Sequence, residues 1–333
     1  MPMMNELVRH HYKNCNKYKK MLDILGYDSS IEYNLEDIPF IPARLFKHHQ
    51  LSSIDNTEVV KTLVSSGTSG QSNSVINLDR ENSLNQIYAL ARIVSSLTGK
   101  NRIPMLVIDS QSVVKDREMF SARGAGILGF SMLSTKVEYA LNENMELDLD
   151  RVIKFSKKYH AEPILVFGFT YMIWEFFCKP LIKSGKSIDL DKAIFLHGGG
   201  WKKMTDSAVD NKEFKSAIKK ISGIERVYDY YGMVEQTGSI FIECDKGNLH
   251  GSIFSDIFIR RSNFSICDIN ESGIIQVISL LPTSYPGNSI LTEDSGVLLG
   301  EDDCSCGRKG KYFSIIGRIQ SAETRGCSDT FSK

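Results

Sequence analysis

The chain has 333 residues, 42% hydrophobic and 24% charged, which is enough apolar content for a real core in one large domain or two moderate ones. Forty Lys and Arg balance forty Asp and Glu, so no charge excess marks a nucleic-acid or anionic-membrane partner. No run approaches the roughly 18 to 20 apolar residues that span a bilayer, and the basic start (His10, His11, Lys13, Lys17, Lys19, Lys20) lacks the apolar stretch of a signal peptide, so a cytoplasmic protein is expected.

Along the chain, short β-branched segments alternate with helix-period ones. Val59–Val64 predicts a strand, and Asp79 then caps a helix with an apolar face of Leu84, Ile87, Tyr88, Ala91 and Val94. Met105–Ile108 predicts the next strand, followed by a helix carrying Leu149, Val152, Ile153 and Phe155. Ile164–Phe167 and Ala193–Leu196 are further strands; Phe214, Ile218 and Ile221 mark a helix, and Arg226–Tyr230 a strand. This alternation predicts an α/β fold with a largely parallel sheet. From Gly251 the texture changes: Ile253–Arg260, Gly273–Leu281 and Gly296–Leu299 predict short strands joined by Asn, Ser, Pro and Gly turns. The expected division is an α/β core over 1–245 with a helical start, a β-rich subdomain over 246–318, and a tail over 319–333.

Three constellations carry chemistry. After the first strand comes Ser65-Ser66-Gly67-Thr68-Ser69-Gly70-Gln71-Ser72, whose glycines let backbone N–H groups converge on an anion while hydroxyls add donors. It suits a polyphosphate but lacks the Gly-Lys-Ser/Thr of a Walker loop. Tyr230-Tyr231-Gly232-Met233-Val234-Glu235 places an aromatic face for a purine near a carboxylate that can hold a hard cation. Cys244-x5-His250 with Cys304-x-Cys306 gives four ligands suited to tetrahedral structural zinc, the alternative being unrelated surface thiols. Seven cysteines, an odd number, favour thiol or metal chemistry over a disulfide scaffold. Gly124-Ala125-Gly126-Ile127-Leu128-Gly129 matches a dinucleotide fingerprint formally, but no strand precedes it, so a turn or loop is predicted. His10-His11 and His48-His49 read as solvated, and Cys15, Cys178 and Cys267 as packing thiols. Trp174 with Tyr171, Phe176 and Phe177 reads as core, with an acyl pocket as the alternative.

The loop at 65–72 resembles the phosphate-binding segment of the adenylate-forming superfamily, and Tyr231-Gly232-Met233-Val234-Glu235 resembles its Tyr-Gly-x-Thr-Glu motif, with Val234 in place of Thr. Leu196-His197-Gly198-Gly199-Gly200-Trp201 looks like its adenine-side turn, Thr292-Glu293-Asp294 stands where the family has Thr-Gly-Asp, and Gly317-Arg318 looks like its Gly-Arg pair. Within the superfamily, Ile38–Lys47 and Arg325–Phe331 resemble the acyl-protein synthetases of bacterial luminescence (the LuxE type), with phenylacetate–CoA ligases as cousins that share Cys304-x-Cys306-Gly307-Arg308.

The resemblance implies ATP and Mg²⁺ as cofactors and a large adenylating domain. Ser65 to Gly70 would hold phosphates, Gly198, Gly199, Tyr231 and Gly232 the adenine, Asp294 the ribose, and Glu235 the Mg²⁺. Only fifteen residues follow Arg318, so the small C-terminal domain with its catalytic lysine is expected to be absent, and Lys309, Lys311 or Arg318 is left to supply a positive charge. The implied reaction activates a carboxylic acid, fatty by resemblance, as acyl-AMP and passes it to Cys327, six residues from the chain end. Delivery to an acyl reductase or other acyl-accepting protein would follow. The rivals are an acyl-CoA or acyl-carrier ligase and a non-catalytic nucleotide-binding scaffold.

Overall fold

The computed structural model describes residues 2–65, 73–99, 102–114, 122–201 and 209–319. They fall into two compact units. The first draws on the described residues up to 89 and on 232–319, and the second on those within 90–231.

The first unit opens with α1 (Pro2–Asn14) and α2 (Asn16–Ile24), which bury Met4, Leu7, Val8, Tyr18 and Leu22. His11 is also buried there, not solvated: Nε2 donates to the Pro282 carbonyl (3.0 Å) and Nδ1 lies 2.7 Å from the Ser53 hydroxyl. A buried histidine is tolerated because both ring nitrogens have partners. Next come β1 (Ile41–Pro42), α3 (Leu45–His48), the antiparallel pair β2 (Lys61–Val64) and β3 (Val75–Leu78), and α4 (Arg80–Thr98). Asp79 caps α4 as expected, its Oδ1 accepting from the Asn82 N–H at 2.7 Å. The buried face differs from the expected one. Leu84 and Tyr88 are exposed, while Asn82, Gln86, Ala89, Leu90, Ile93 and Val94 are buried. Asn82 can point inward because it is satisfied: Nδ2 donates to Leu281 O, and Oδ1 accepts from the N–H groups of Thr283 and Ser284.

The second unit carries β4 (Ile103–Ser110), α5 (Ala122–Ser131), β5 (Ser134–Leu141), α6 (Leu149–Tyr159), β6 (Leu165–Phe169), α7 (Thr170–Ile173), α8 (Lys179–Ser184), β7 (Ile194–Gly198), α9 (Asn211–Ser222) and β8 (Arg226–Tyr231). Its five strands run parallel in the order β5-β4-β6-β7-β8. All eight residues of β4 and all five of β6 are buried, as expected for parallel strands covered on both faces. In this order the connections reverse direction at the β4–β6 pair, and such sheets present their ligand crevice beyond the carboxyl ends of the strands. The glycines of 124–129 lie inside α5, not in a turn. They let the helix approach its neighbours: a Cβ on Gly126 would stand 3.2 Å from Phe169, and one on Gly129 3.4 Å from Leu90.

Back in the first unit, β9 (Phe241–Glu243), β10 (Leu249–His250), β11 (Ser255–Arg260), β12 (Ser272–Ser279), β13 (Ser289–Glu301) and β14 (Lys311–Arg318) are antiparallel in the order β11-β12-β13-β14-β10-β9. β1 adds to this sheet in parallel, with Ile41 opposite Ile290. β13 begins seven residues before the expected Gly296, so Thr292-Glu293-Asp294 lies within the strand.

Candidate active site

The Ser/Gly segment falls in the sequence between the paired strands β2 and β3. Ser65 continues the pairing of the two strands, its N–H donating to Ser74 O (2.9 Å) and its Oγ accepting from Ser74 N–H (2.8 Å). Ser66, Gly67, Thr68, Ser69 and Gly70 lie outside the described residues. Ser74 then turns its hydroxyl onto Glu235, donating to Oε1 at 2.6 Å. Glu235 is buried in a short 3-10 turn, Val234–Gln236, anchored by Gln236 Nε2 donating to the carbonyls of Gly287 (2.8 Å) and Val277 (3.1 Å). The loop and the carboxylate motif are therefore joined by one serine that the sequence did not single out. Its only signal is its place directly after the loop.

Asp294 and Arg318 are opposite one another on β13 and β14, with Arg318 Nε 3.7 Å from Asp294 Oδ1. Asp294 N–H donates to Thr292 Oγ1, which donates in turn to Ile275 O. Arg318 is also held by Glu293, its Nη2 2.8 Å from Oε2, and Glu293 Oε1 takes Arg44 at 2.9 Å. Lys309 is spent on the Asp302 carbonyl and Lys311 on Asp256.

In the second unit, Gly198 ends β7 and Gly199 follows it. A Cβ on Gly198 would stand 2.7 Å from the Tyr230 ring, and Gly199, at φ +85°, would meet Phe169 at 2.8 Å. Only glycine fits both positions. Tyr230 is committed to packing on Phe167 and Phe130, while Tyr231, the last residue of β8, is half-buried and Gly232 exposed. His197 supports the turn through Thr170: Nδ1 is 3.0 Å from Thr170 Oγ1, which donates to Gly198 O. Burial, with Lys215 nearby, holds the His197 imidazole down to about 3, so it is neutral. Trp174 and Phe177 are buried, Trp174 against Trp201 and Phe214.

The carboxyl end of β4 holds an ion pair that sequence reading missed. Asp109 and Arg123 are both buried and 3.1 Å apart, and Arg123 reaches the Met172 sulfur at 3.6 Å. Burial lifts the Asp109 carboxyl to about 6 against the pull of Arg123. A lone Asp at a strand end gives no sequence signal until the fold supplies its partner.

Cys244, His250, Cys304 and Cys306 come together with all four ligand atoms within 4.8 Å of one another. A tetrahedral zinc site places sulfurs about 3.7 Å apart, and the His250 Nε2 to Cys306 Sγ distance is 3.5 Å. The N–H groups of Lys246 and Arg308 donate to the sulfurs of Cys244 and Cys306, and Asn248 Nδ2 to that of Cys304. Such donors stabilise thiolates, the form that binds metal. Cys15, Cys178 and Cys267 are buried packing thiols, and Cys327 lies outside the described residues.

The family model described as "Acyl-protein synthetase, LuxE" matches residues 2–333. A long-chain-fatty-acid–luciferin-component ligase of Vibrio harveyi is 23% identical over 342 residues, covering 98% of this chain and 85% of the relative. One from Photorhabdus luminescens is 34% identical over 67 residues, 20% of this chain and 57% of its own. Among solved structures, a 2-hydroxyisobutyryl-CoA ligase in the postadenylation state matches with TM-score 0.70 at 16% identity, over 96% of this chain and 66% of that one. Its open form with 2-HIB-AMP and CoA gives 0.71 at 16% identity, over 97% and 75%. The chain thus spans two thirds to three quarters of these ligases, and shares with them the adenylate-forming fold.

Proposed function

From the premise that this chain belongs to the acyl-protein synthetase, LuxE family, we propose that it activates a long-chain fatty acid as acyl-AMP at the residues just described and passes the acyl group to Cys327. The enzyme is an AMP-forming ligase. The observation that carries the residue assignment is the Ser74–Glu235 hydrogen bond, which ties the phosphate-loop hairpin to the carboxylate motif.

The acid carboxylate attacks the α-phosphorus of ATP in line and pyrophosphate leaves. Catalysis of such a step is mainly positioning and charge neutralisation. The loop opening at Ser65 and running through Ser66, Gly67, Thr68, Ser69 and Gly70 offers N–H and hydroxyl donors to the β- and γ-phosphates. Glu235 supplies the oxygen ligand for Mg²⁺, which neutralises phosphate charge when bound. Gly198, Gly199, Tyr231 and Gly232 serve the adenine, Asp294 accepts from the ribose hydroxyls and Arg318 supplies positive charge. In the second step the Cys327 thiolate attacks the acyl carbonyl, the C–S bond forms, the C–O bond to phosphate breaks, and AMP leaves. The thioester is then consumed by an acyl-accepting protein, of which an acyl reductase fits the chemistry. Zinc at Cys244, His250, Cys304 and Cys306 is structural: all four positions of a tetrahedron are filled by protein, leaving none for substrate. Among the described residues no helix is long and apolar enough to cross a membrane.

The test incubates the protein with ATP, Mg²⁺ and labelled long-chain fatty acid, with and without CoA. Hydroxylamine-labile label on the protein is expected, and Cys327→Ser should abolish it while sparing acid-dependent pyrophosphate exchange. Glu235→Gln keeps the shape but removes the charge, so exchange should fall on the order of a hundredfold. Label accumulating as acyl-CoA would make the protein a CoA ligase, and absence of exchange with any acid would make it a scaffold.

A further inference from the structure

The Thr292-Glu293-Asp294 segment carries a glutamate where the superfamily motif has glycine, and the structure gives that side chain two guanidinium partners. Glu293 is buried, 8% exposed. Its Oε1 accepts from both Nε and Nη2 of Arg44 at 2.9 Å, and its Oε2 from Nη2 of Arg318 at 2.8 Å. Its backbone carbonyl takes the N–H of Ile319 at 3.1 Å, which fixes the chain on the far side of Arg318. Asp294 completes the group, 3.7 Å from Arg318 Nε. Two carboxylates and two guanidinium groups thus form one chain of charge, Arg44–Glu293–Arg318–Asp294, within a single compact unit.

Arg44 comes from the other end of the sequence and is delivered by backbone pairing. β1 lies parallel to β13 with Pro42 opposite Leu291, Ala43 N–H donates to Leu291 O at 2.9 Å, and Phe46 is buried with its ring 6.0 Å from Tyr285. The Ile38–Lys47 segment, which the reaction scheme leaves without a role, is the strut that carries this guanidinium.

We propose that Glu293 is a positioning residue for adenylation: braced by Arg44, it fixes the Arg318 guanidinium beside Asp294 before nucleotide arrives. The idea rests on the nucleotide roles assigned above to Asp294 and Arg318. A free arginine side chain samples many rotamers, and two neighbouring guanidinium groups without a shared counter-ion repel. The carboxylate removes both problems. Charge-assisted bonds of this kind are short and directional, so losing them displaces Arg318 as well as loosening it.

The experiment measures ATP–pyrophosphate exchange, with kcat and KM for ATP, in wild type, Glu293→Gln, Arg44→Gln and the double variant, beside thermal melts. Displacing a catalytic charge by about 1 Å costs up to a hundredfold in rate, so kcat should fall roughly tenfold to a hundredfold in each single variant. KM for ATP should stay within about threefold, and the double variant should be no slower than the worse single one, because both act through the same contact. Arg44→Lys, which keeps the charge, should recover part of the rate. Single variants that lose thermal stability while kcat per folded enzyme stays at the wild-type value would overturn the proposal, as would additive losses in the double. If Glu293→Gln does not fold, Arg44→Gln decides alone, since Arg44 is half-exposed and shares Glu293 as a partner with Arg318. Wild type without exchange would instead sink the adenylation reading and is distinguishable from these outcomes.

Discussion

His11 is neutral because of where it sits. The Pro282 carbonyl can only accept, so Nε2 keeps its proton and Nδ1 accepts a hydrogen bond from the Ser53 hydroxyl. Burial, helped by His10, holds it down to about 3, as burial does for His197. The unfolded chain binds a proton on each below the ordinary value of 6.5, so stability is full above pH 6.5 and is lost as pH falls toward 3, by about 1.4 kcal/mol per unit for each histidine. Asp109 works the other way: lifted to about 6, its folded form takes up a proton first as pH falls through 6, which offsets part of the loss. The net expectation at pH 5 is a loss on the order of 3 kcal/mol relative to pH 7.5. Denaturant melts between pH 7.5 and 5 check it, and His11→Gln should remove most of the pH dependence, roughly three quarters, because the Asp109 offset then cancels much of what His197 contributes. An unchanged slope in that variant would remove His11 as a source. At this scale the motif residues were legible because Ser, Gly, Glu and Asp are compressed into short segments. Their partners were not: Ser74 reaches Glu235 across 161 positions and Arg44 reaches Glu293 across 249.

At the scale of elements, the four side chains that could hold a metal come from two hairpins. Cys244 and His250 flank the turn between β9 and β10, and Cys304 and Cys306 lie in the turn between β13 and β14. Bound zinc would cross-link the two turns, and β10 already pairs with β14 through Leu249–Phe313 and His250–Tyr312. Because binding energy at such a site is folding energy, about one zinc per chain should copurify. Cys304→Ser or strong chelation should lower the melting temperature by roughly 5 °C or more. Elemental analysis of unchelated protein with no metal would refute this. The buried parallel strands were readable as short apolar, β-branched runs, and α9 as a clean 3.6-residue stripe. The face of α4 was not readable, because Asn82 and Gln86 point inward and count as polar in any periodicity.

At the scale of the whole molecule, the first unit is assembled from opposite ends of the sequence, and no local pattern reveals that. The alternation of strands and helices was visible, but the parallel register of Ile41 with Ile290 was not. A chain cut after residue 245, where the sequence texture changes, would leave α1, β1 and the β2–β3 hairpin without Pro282, Ser284 and Leu291 as partners. Such a fragment is expected to be protease-sensitive or insoluble, and limited proteolysis beside the full chain tests that; a fragment as resistant as the full chain would argue against the assembly described. The same pairing sets a clock during synthesis. At roughly 5 to 20 residues per second, Ile290 emerges about 12 to 50 seconds after Ile41. Throughout that interval the apolar faces of Met4, Leu7, Val8 and Leu22 lack their C-terminal strands, while the described residues of the second unit, all within 90–231, have already emerged. A ribosome-bound chain stalled short of residue 290 is therefore a natural client for a holding chaperone, and the cell's capacity to shield its first fifty residues, more than the stability of the finished enzyme, should set how much of it accumulates.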